Sequence, residues 1–87
     1  MKPLAILALL FAAQAHAWDG YDWDNRADIE IEAGNTVREG QTVEIFDYSV
    51  GAYRDVEVES INNYGLGTEV EVYDTVTGEY RTFEMED

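Results

Sequence analysis

The sequence predicts an all-β protein: a small antiparallel sheet or partly closed barrel of five to six strands, built from repeated β-hairpins and preceded by a cleavable signal peptide. Three observations carry this. Residues 70–87 (VEVYDTVTGEYRTFEMED) repeat the pattern of residues 43–60 (VEIFDYSVGAYRDVEVES) at a spacing of 27 residues, and self-similarity at a fixed period marks duplicated supersecondary units. Each copy alternates apolar and polar residues on both sides of a glycine-containing turn, the pattern of a half-buried hairpin. The first 17 residues have a different composition from everything that follows.

Those first residues read as a signal peptide, 1–17, with a single domain at 18–87. Lys2 is a minimal basic start, residues 4–13 form an apolar run too short to span a bilayer, and Ala15-His16-Ala17 is a small-x-small cleavage site. A retained anchor is disfavoured because Gln14 and His16 interrupt the apolar stretch. The protein is therefore expected to be periplasmic or secreted.

Hairpin units are expected at about 18–33, 43–60 and 70–87. In the second and third, Val43/Val70, Glu44/Glu71, Asp47/Asp74, Gly51/Gly78, Tyr53/Tyr80, Arg54/Arg81, Glu57/Glu84 and Glu59/Glu86 are identical. The first is degenerate. At the 27-residue spacing Ile29 and Ile31 fall under Val56 and Val58, with Tyr21-Asp22 standing in for Phe46-Asp47, a turn two residues shorter and no glycine. Residues 34–41 (GNTVREGQ) and 60–67 (SINNYGLG) are polar connections between units.

Alternation sorts the side chains onto two faces. Val43, Ile45, Val56, Val58, Val70, Val72, Phe83 and Met85 share an apolar face. Glu44, Phe46, Tyr48, Tyr53, Asp55, Glu57, Glu59, Glu69, Glu71, Tyr73, Tyr80, Thr82, Glu84 and Glu86 share an acidic face with an aromatic band near the hairpin tips. The tips, Asp47 to Ala52 and Asp74 to Glu79, suit a four-residue loop built on a type I turn, with Gly51 and Gly78 in the left-handed position and the Asp carboxylates accepting from turn amides. The favoured register pairs Phe46 with Tyr53 and Tyr73 with Tyr80; a slip of two residues would pair Tyr48 with Tyr53 instead. Arg54 and Arg81 fall on the apolar face by parity, near Asp47 and Asp74 respectively, where an arginine–carboxylate bridge at the sheet margin accounts for both. Asp47, Gly51, Arg54, Asp74, Gly78 and Arg81 are thus expected to be structural parts of the tips.

The formal net charge is −14 at pH 7. Without residues 1–17 the chain keeps four arginines against 19 acidic residues, which makes −15. Such a surface excludes nucleic acid and anionic membranes as partners, since both are held by cationic side chains. It favours solubility, cations or a basic partner. Residues 18–87 contain no His, Cys or Lys, which removes His-based triads, thiol nucleophiles, Schiff bases and His/Cys zinc sites. The remaining carboxylates form ladders on an exposed face, and no enzymatic activity is expected. No cofactor is expected either, weak contacts of the carboxylate ladders with divalent cations aside. Asp19, Asp22 and Asp24 are spaced like oxygen ligands of a calcium loop but lack the full twelve-residue pattern. A segment whose Trp18, Tyr21 and Trp23 pack on the sheet explains them more simply.

The start WDGYDW (residues 18–23) and the closing VEVYDTVTGEYRTFEME (residues 70–86) resemble a family of short exported bacterial proteins of unknown function, DUF5334. The likeness covers the whole of residues 18–87 and departs at Asn25-Arg26-Ala27, where a glycine-containing turn is expected. It implies export and small size and supplies no activity or site residues. The function expected is that of a non-enzymatic exported envelope or secreted protein, with Phe46, Tyr53, Tyr73 and Tyr80 as candidates for holding a basic peptide or a glycan. The alternative is an assembly subunit that self-associates through strand edges or the aromatic band.

Overall fold

Short alternating runs separated by turns become six strands: β1 (Trp18–Asp22), β2 (Ala27–Ile31), β3 (Thr42–Asp47), β4 (Ala52–Asn63), β5 (Thr68–Asp74) and β6 (Glu79–Met85). The computed structural model describes residues 16–65 and 67–86; residues 1–15 of the expected signal peptide lie outside the described residues. Each strand pairs antiparallel with the next, and β1 also pairs with β6, so the sheet closes into a barrel. Of the expected sheet or partly closed barrel of five to six strands, the antiparallel barrel holds, with six strands and full closure. Six short strands left open would leave their apolar face wet and two edges unpaired, and closure removes both costs.

Within the hairpins the favoured register holds: Phe46 lies opposite Tyr53 and Tyr73 opposite Tyr80. The tips close as their chemistry dictates. Gly51 and Gly78 have φ of 68° and 76°, and each donates its N–H to the carbonyl of the tip aspartate at 2.8 Å.

The first turn departs from the expectation of a loop two residues shorter. Asp22 lies opposite Ala27 as Asp47 lies opposite Ala52 and Asp74 opposite Glu79, so all three loops have equal length. Arg26 stands where the other hairpins have glycine and takes the left-handed conformation itself, φ 55°. Ile29 therefore occupies the hairpin position of Arg54 and Arg81. The 27-residue spacing survives in the register between hairpins, where Ile29 faces Asp47, Val56 faces Asp74 and Phe83 faces Asp22. Going once around the barrel, the step from one hairpin to the next is two residues along β2 and four along each of β4 and β6, a stagger of ten residues in all. The drift of the first unit is thus stored in the barrel stagger rather than in its turn.

The interior is filled by side chains. Ile29, Ile31, Val43, Ile45, Val56, Val58, Val70, Val72, Phe83 and Met85 are all buried, which includes every residue assigned to the apolar face. At the end away from the tips, Trp18, Val37 and Ile61 pack against this core. Ile61 gets there because a register shift between Val58 and Ser60 changes the alternation of β4. Gly20 lies where the Met85 side chain and the Glu84 carbonyl leave no room for a Cβ.

The strained first turn yields a pair of opposed expectations. Gly78→Ala should cost about 1 kcal/mol, because a Cβ disfavours the left-handed region. Arg26→Gly should be neutral to stabilising by up to about 1 kcal/mol, as relief of that strain is partly offset by a freer unfolded chain. Thermal melts of both variants check this, and a clear loss of stability in Arg26→Gly would mean that the Arg26 side chain itself supports the turn.

Candidate functional site

The tip aspartates lie on the inward side of three different strands, β1, β3 and β5, and closure brings them to one mouth of the barrel. Asp22, Asp47 and Asp74 are all buried there, and so is Arg81, at 2% exposure. The Arg81 guanidinium ties the three together. Its Nε donates to Asp22 Oδ2 at 2.8 Å and its Nη1 to Asp74 Oδ2 at 3.0 Å. Its Nη2 donates to Asp22 and forms an ion pair with Asp47 Oδ2 at 2.9 Å. Phe83 sits beneath, its ring centre 5.3 Å from the Arg81 Cζ, and separates the charges from the aliphatic core.

Each aspartate divides its oxygens in the same way. One faces Arg81; the other closes its own turn, as the Asp-x-x-x-Gly pattern implies. Asp47 Oδ1 accepts from the Ser49 amide and hydroxyl at 2.9 and 2.6 Å. Asp74 Oδ1 accepts from the Val76 and Thr77 amides at 2.9 and 3.2 Å. Asp22 Oδ1 accepts from the Asp24 and Asn25 amides at 2.9 and 3.3 Å, and its Oδ2 also takes the Asn25 side-chain amide at 2.9 Å. Burial alone would raise the Asp47 and Asp74 pKa values, but the turn donors and Arg81 outweigh it and hold both carboxyls below the ordinary range. Burial would likewise lower Arg81, and the hydrogen bonds and charges of Asp22 and Asp47 raise it instead.

The expected bridge of Arg81 to Asp74 of its own hairpin forms, whereas the expected pairing of Arg54 with Asp47 needs correction. Arg81 reaches the tips of all three hairpins. Arg54, 21% exposed, stands 3.8 Å from Asp74 of the next hairpin rather than beside Asp47. Parity placed both arginines inside; only the closed stagger decides which carboxylates they meet.

The calcium-like spacing of Asp19, Asp22 and Asp24 does not form one oxygen cage. Asp22 points into the barrel, Asp19 is exposed and lies opposite Glu30 in the sheet, and Asp24 Oδ2 accepts the Thr82 amide of β6 at 2.7 Å. Among the described residues no group of three or more His, Cys, Asp or Glu side chains is arranged to hold a metal ion. The entry segment is instead the strap of the β1–β6 seam. Trp23 Nε1 donates to Glu84 at 2.9 Å, the Tyr64 hydroxyl to the same carboxylate at 2.8 Å, and Trp18 Nε1 to the Glu86 carbonyl. The hydrogen bonds from Tyr64 and Trp23 hold the Glu84 pKa below its ordinary value.

The four rings proposed as a ligand surface form two separate pairs on the outer wall. Phe46 and Tyr53 meet edge-to-face at 4.9 Å, and Tyr73 and Tyr80 are tilted at 5.1 Å. Tyr53 and Tyr80 are 59% and 61% exposed. A third pair, Tyr21 and Trp23, sits on the first hairpin, and Tyr48 adds a further ring against Phe46 at 4.8 Å. In every hairpin the residue before the tip aspartate, Tyr21, Phe46 or Tyr73, lies opposite a glutamate of the neighbouring strand, Glu84, Glu30 or Glu57. Like charges are also directly opposed, at Asp19/Glu30, Glu44/Asp55 and Glu69/Glu84. Burial, followed by the charges of Glu32 and Asp19, raises the Glu30 pKa; burial and then Glu57 raise that of Glu59.

Fold and site together define a six-stranded up-and-down barrel with an ionic plug at one mouth and an acidic, ring-studded outer wall. The chain belongs to a family of unknown function, DUF5334, whose family model matches residues 18–87. No curated protein and no solved structure matches the chain.

Two expectations follow from the plug. Arg81→Met should destabilise the protein by about 3–5 kcal/mol, since it leaves three buried carboxylates unpaired, whereas Arg54→Ala should cost no more than about 1 kcal/mol. Chemical denaturation of both variants decides it, and a mild Arg81→Met would refute the central role of that side chain. The pH dependence has two opposed parts. The lowered Asp47, Asp74 and Glu84 values add stability that is present above the ordinary carboxylate pKa of about 4 and lost as pH falls through the folded values. The raised Glu30 and Glu59 values act oppositely: their contribution is present below the ordinary glutamate value and is lost as pH rises through the folded values. Melting temperature should therefore peak in mild acid, at about pH 4–5, and fall on either side. A profile rising monotonically from pH 3 to 7 would contradict this.

Proposed function

We propose that the protein is a non-enzymatic, exported acidic barrel that holds a basic protein partner against its outer wall. The observation that carries this reading is the division of charge across the wall. Arg81 and Arg54 turn inward to the tip aspartates, leaving Arg26 and Arg38 as the exposed arginines of residues 18–87. The outside thus alternates carboxylates with exposed rings, a combination that attracts cationic side chains both by charge and through ring faces. A neutral glycan would use the rings but not the charge.

Non-enzymatic action is supported by the state of the buried carboxylates, whose oxygens are committed to Arg81 and to turn amides. Export is supported by the position of the small-x-small site: the first strand among the described residues and the family match both begin at Trp18, the residue after it. Closure weakens the strand-edge route of the assembly alternative and leaves the aromatic band as its remaining surface.

The reading is tested with protein recovered from the exported fraction, with its first residue checked as Trp18. It is titrated by calorimetry with an arginine–serine dodecapeptide and, separately, a glutamate–serine one. The basic peptide should bind, more weakly as salt rises, and the acidic peptide should not. The Tyr53→Ser/Tyr80→Ser variant keeps its charge but should lose about fivefold in affinity, from cation–π contributions of roughly 0.5–1 kcal/mol per exposed ring. Absence of binding even at low ionic strength would overturn the proposal.

A further inference from the structure

The three hairpins are not equally equipped outside, and the difference lies in the residue that follows each tip aspartate. In the first hairpin this is Trp23, engaged with Glu84; in the third it is Thr75. In the second it is Tyr48, 55% exposed, with its ring edge-on to Phe46, which also carries Tyr53. Tyr48 stands at the rim of an open hollow of about 240 Å³, whose other lining residues are Asp19, Gly20, Asp28, Ile29 and Glu86. The floor is bare for a reason of parity. Gly20 and Ile29 lie at inward positions of β1 and β2 and face each other in the sheet, so they offer only backbone to the outside. An aromatic ring and three carboxylate-bearing residues surround that floor. The field there is strongly negative: the charge of Glu30, then burial, then Asp19, Glu32 and Asp28 raise the Tyr48 phenol above its ordinary pKa.

We infer that this hollow is the anchor subsite of the outer wall and receives one arginine or lysine side chain of the basic partner; the inference rests on the reading given under Proposed function. An extended organic cation suits the geometry better than a compact metal ion. The acids lie around the floor without forming a metal-holding group, whereas a planar guanidinium can stack on the Tyr48 ring and still donate sideways to carboxylates. The hollow sits beside the Phe46–Tyr48–Tyr53 stack, so a segment anchored there can continue across the second hairpin.

The experiment uses the same arginine–serine dodecapeptide, followed by amide chemical shifts and calorimetry, and its neutral citrulline counterpart. The variants are Tyr48→Ala and Asp28→Asn, both at exposed positions, with melting temperatures checked against the parent protein. The expected result is shift changes centred on Asp19, Gly20, Asp28, Ile29 and Glu86, a loss of about five- to tenfold in affinity for the double variant, and no binding of the citrulline peptide. If the arginine peptide binds but the double variant retains full affinity, or the shifts map only to Tyr73 and Tyr80, the anchor site is wrong and the basic-partner reading stands. If the peptide does not bind the parent protein at all, that reading fails and the anchor site with it.

Discussion

One guanidinium holds the barrel's mouth together. Arg81 meets carboxylates from β1, β3 and β5, one from each hairpin, and therefore senses whether all three are in place. This is a tertiary constraint in a sheet whose β1–β6 seam has only three paired residue positions. Gathering three carboxylates and a guanidinium away from water carries a large desolvation cost, and such a cluster is poor evidence for net stability. Its contribution is specificity. A register slip by two residues in any hairpin would preserve the faces of the strand yet withdraw a carboxylate from Arg81 and leave charge unpaired inside the barrel.

The plug is tolerable because each aspartate is also the closing residue of its own turn. The amides that hold Asp22, Asp47 and Asp74 are turn groups in need of acceptors, so the same oxygen pair satisfies local backbone and long-range charge together. The consequence appears on the other face. Two of the four arginines of residues 18–87 are turned inward, and the outer wall is left with opposed pairs such as Asp19/Glu30 and Glu69/Glu84. Opposed like charges destabilise a sheet, and the Glu30 pKa is raised by burial first, then by Glu32 on its own strand and by the opposed Asp19. The interior order and the exterior strain are two sides of one allocation of cations.

Much of this was legible in the sequence because it is local. Alternation assigned Val43, Ile45, Val56, Val58, Val70, Val72, Phe83 and Met85 to the interior, and the Asp-x-x-x-Gly tips pointed to the turn and favoured the Phe46–Tyr53 and Tyr73–Tyr80 registers over a two-residue slip. A partly closed barrel was legible from the single apolar face of so small a sheet, but full closure was not, because strand alternation says nothing about whether the last strand finds the first. Without closure, Asp22 has no reason to be read as a partner of Arg81, 59 residues away, and its spacing with Asp19 and Asp24 suggested calcium instead. Val37 was missed as a lone apolar residue in a polar connection, and Ile61 because the shift after Val58 breaks the alternation that would have flagged it. The hollow beside Tyr48 was equally hidden, being made of backbone left bare where Gly20 faces Ile29.

The plug does not use the three hairpins equally. Three equivalent hairpins would bring three arginines to the position held by Ile29, Arg54 and Arg81, yet only Arg81 is buried among the three carboxylates. Arg81 uses its Nε, Nη1 and Nη2 on all three, so a second guanidinium finds the nearest oxygens taken. Arg54 accordingly stands off at 3.8 Å and partly in solvent, and the first hairpin carries the apolar Ile29, fully inside the core. The shorter step along β2 belongs to the same compromise: it lets Ile29 meet Asp47 across the sheet in the place that Val56 and Phe83 fill for the other aspartates. The degenerate unit is thus the one that lets a threefold design close around a single cation.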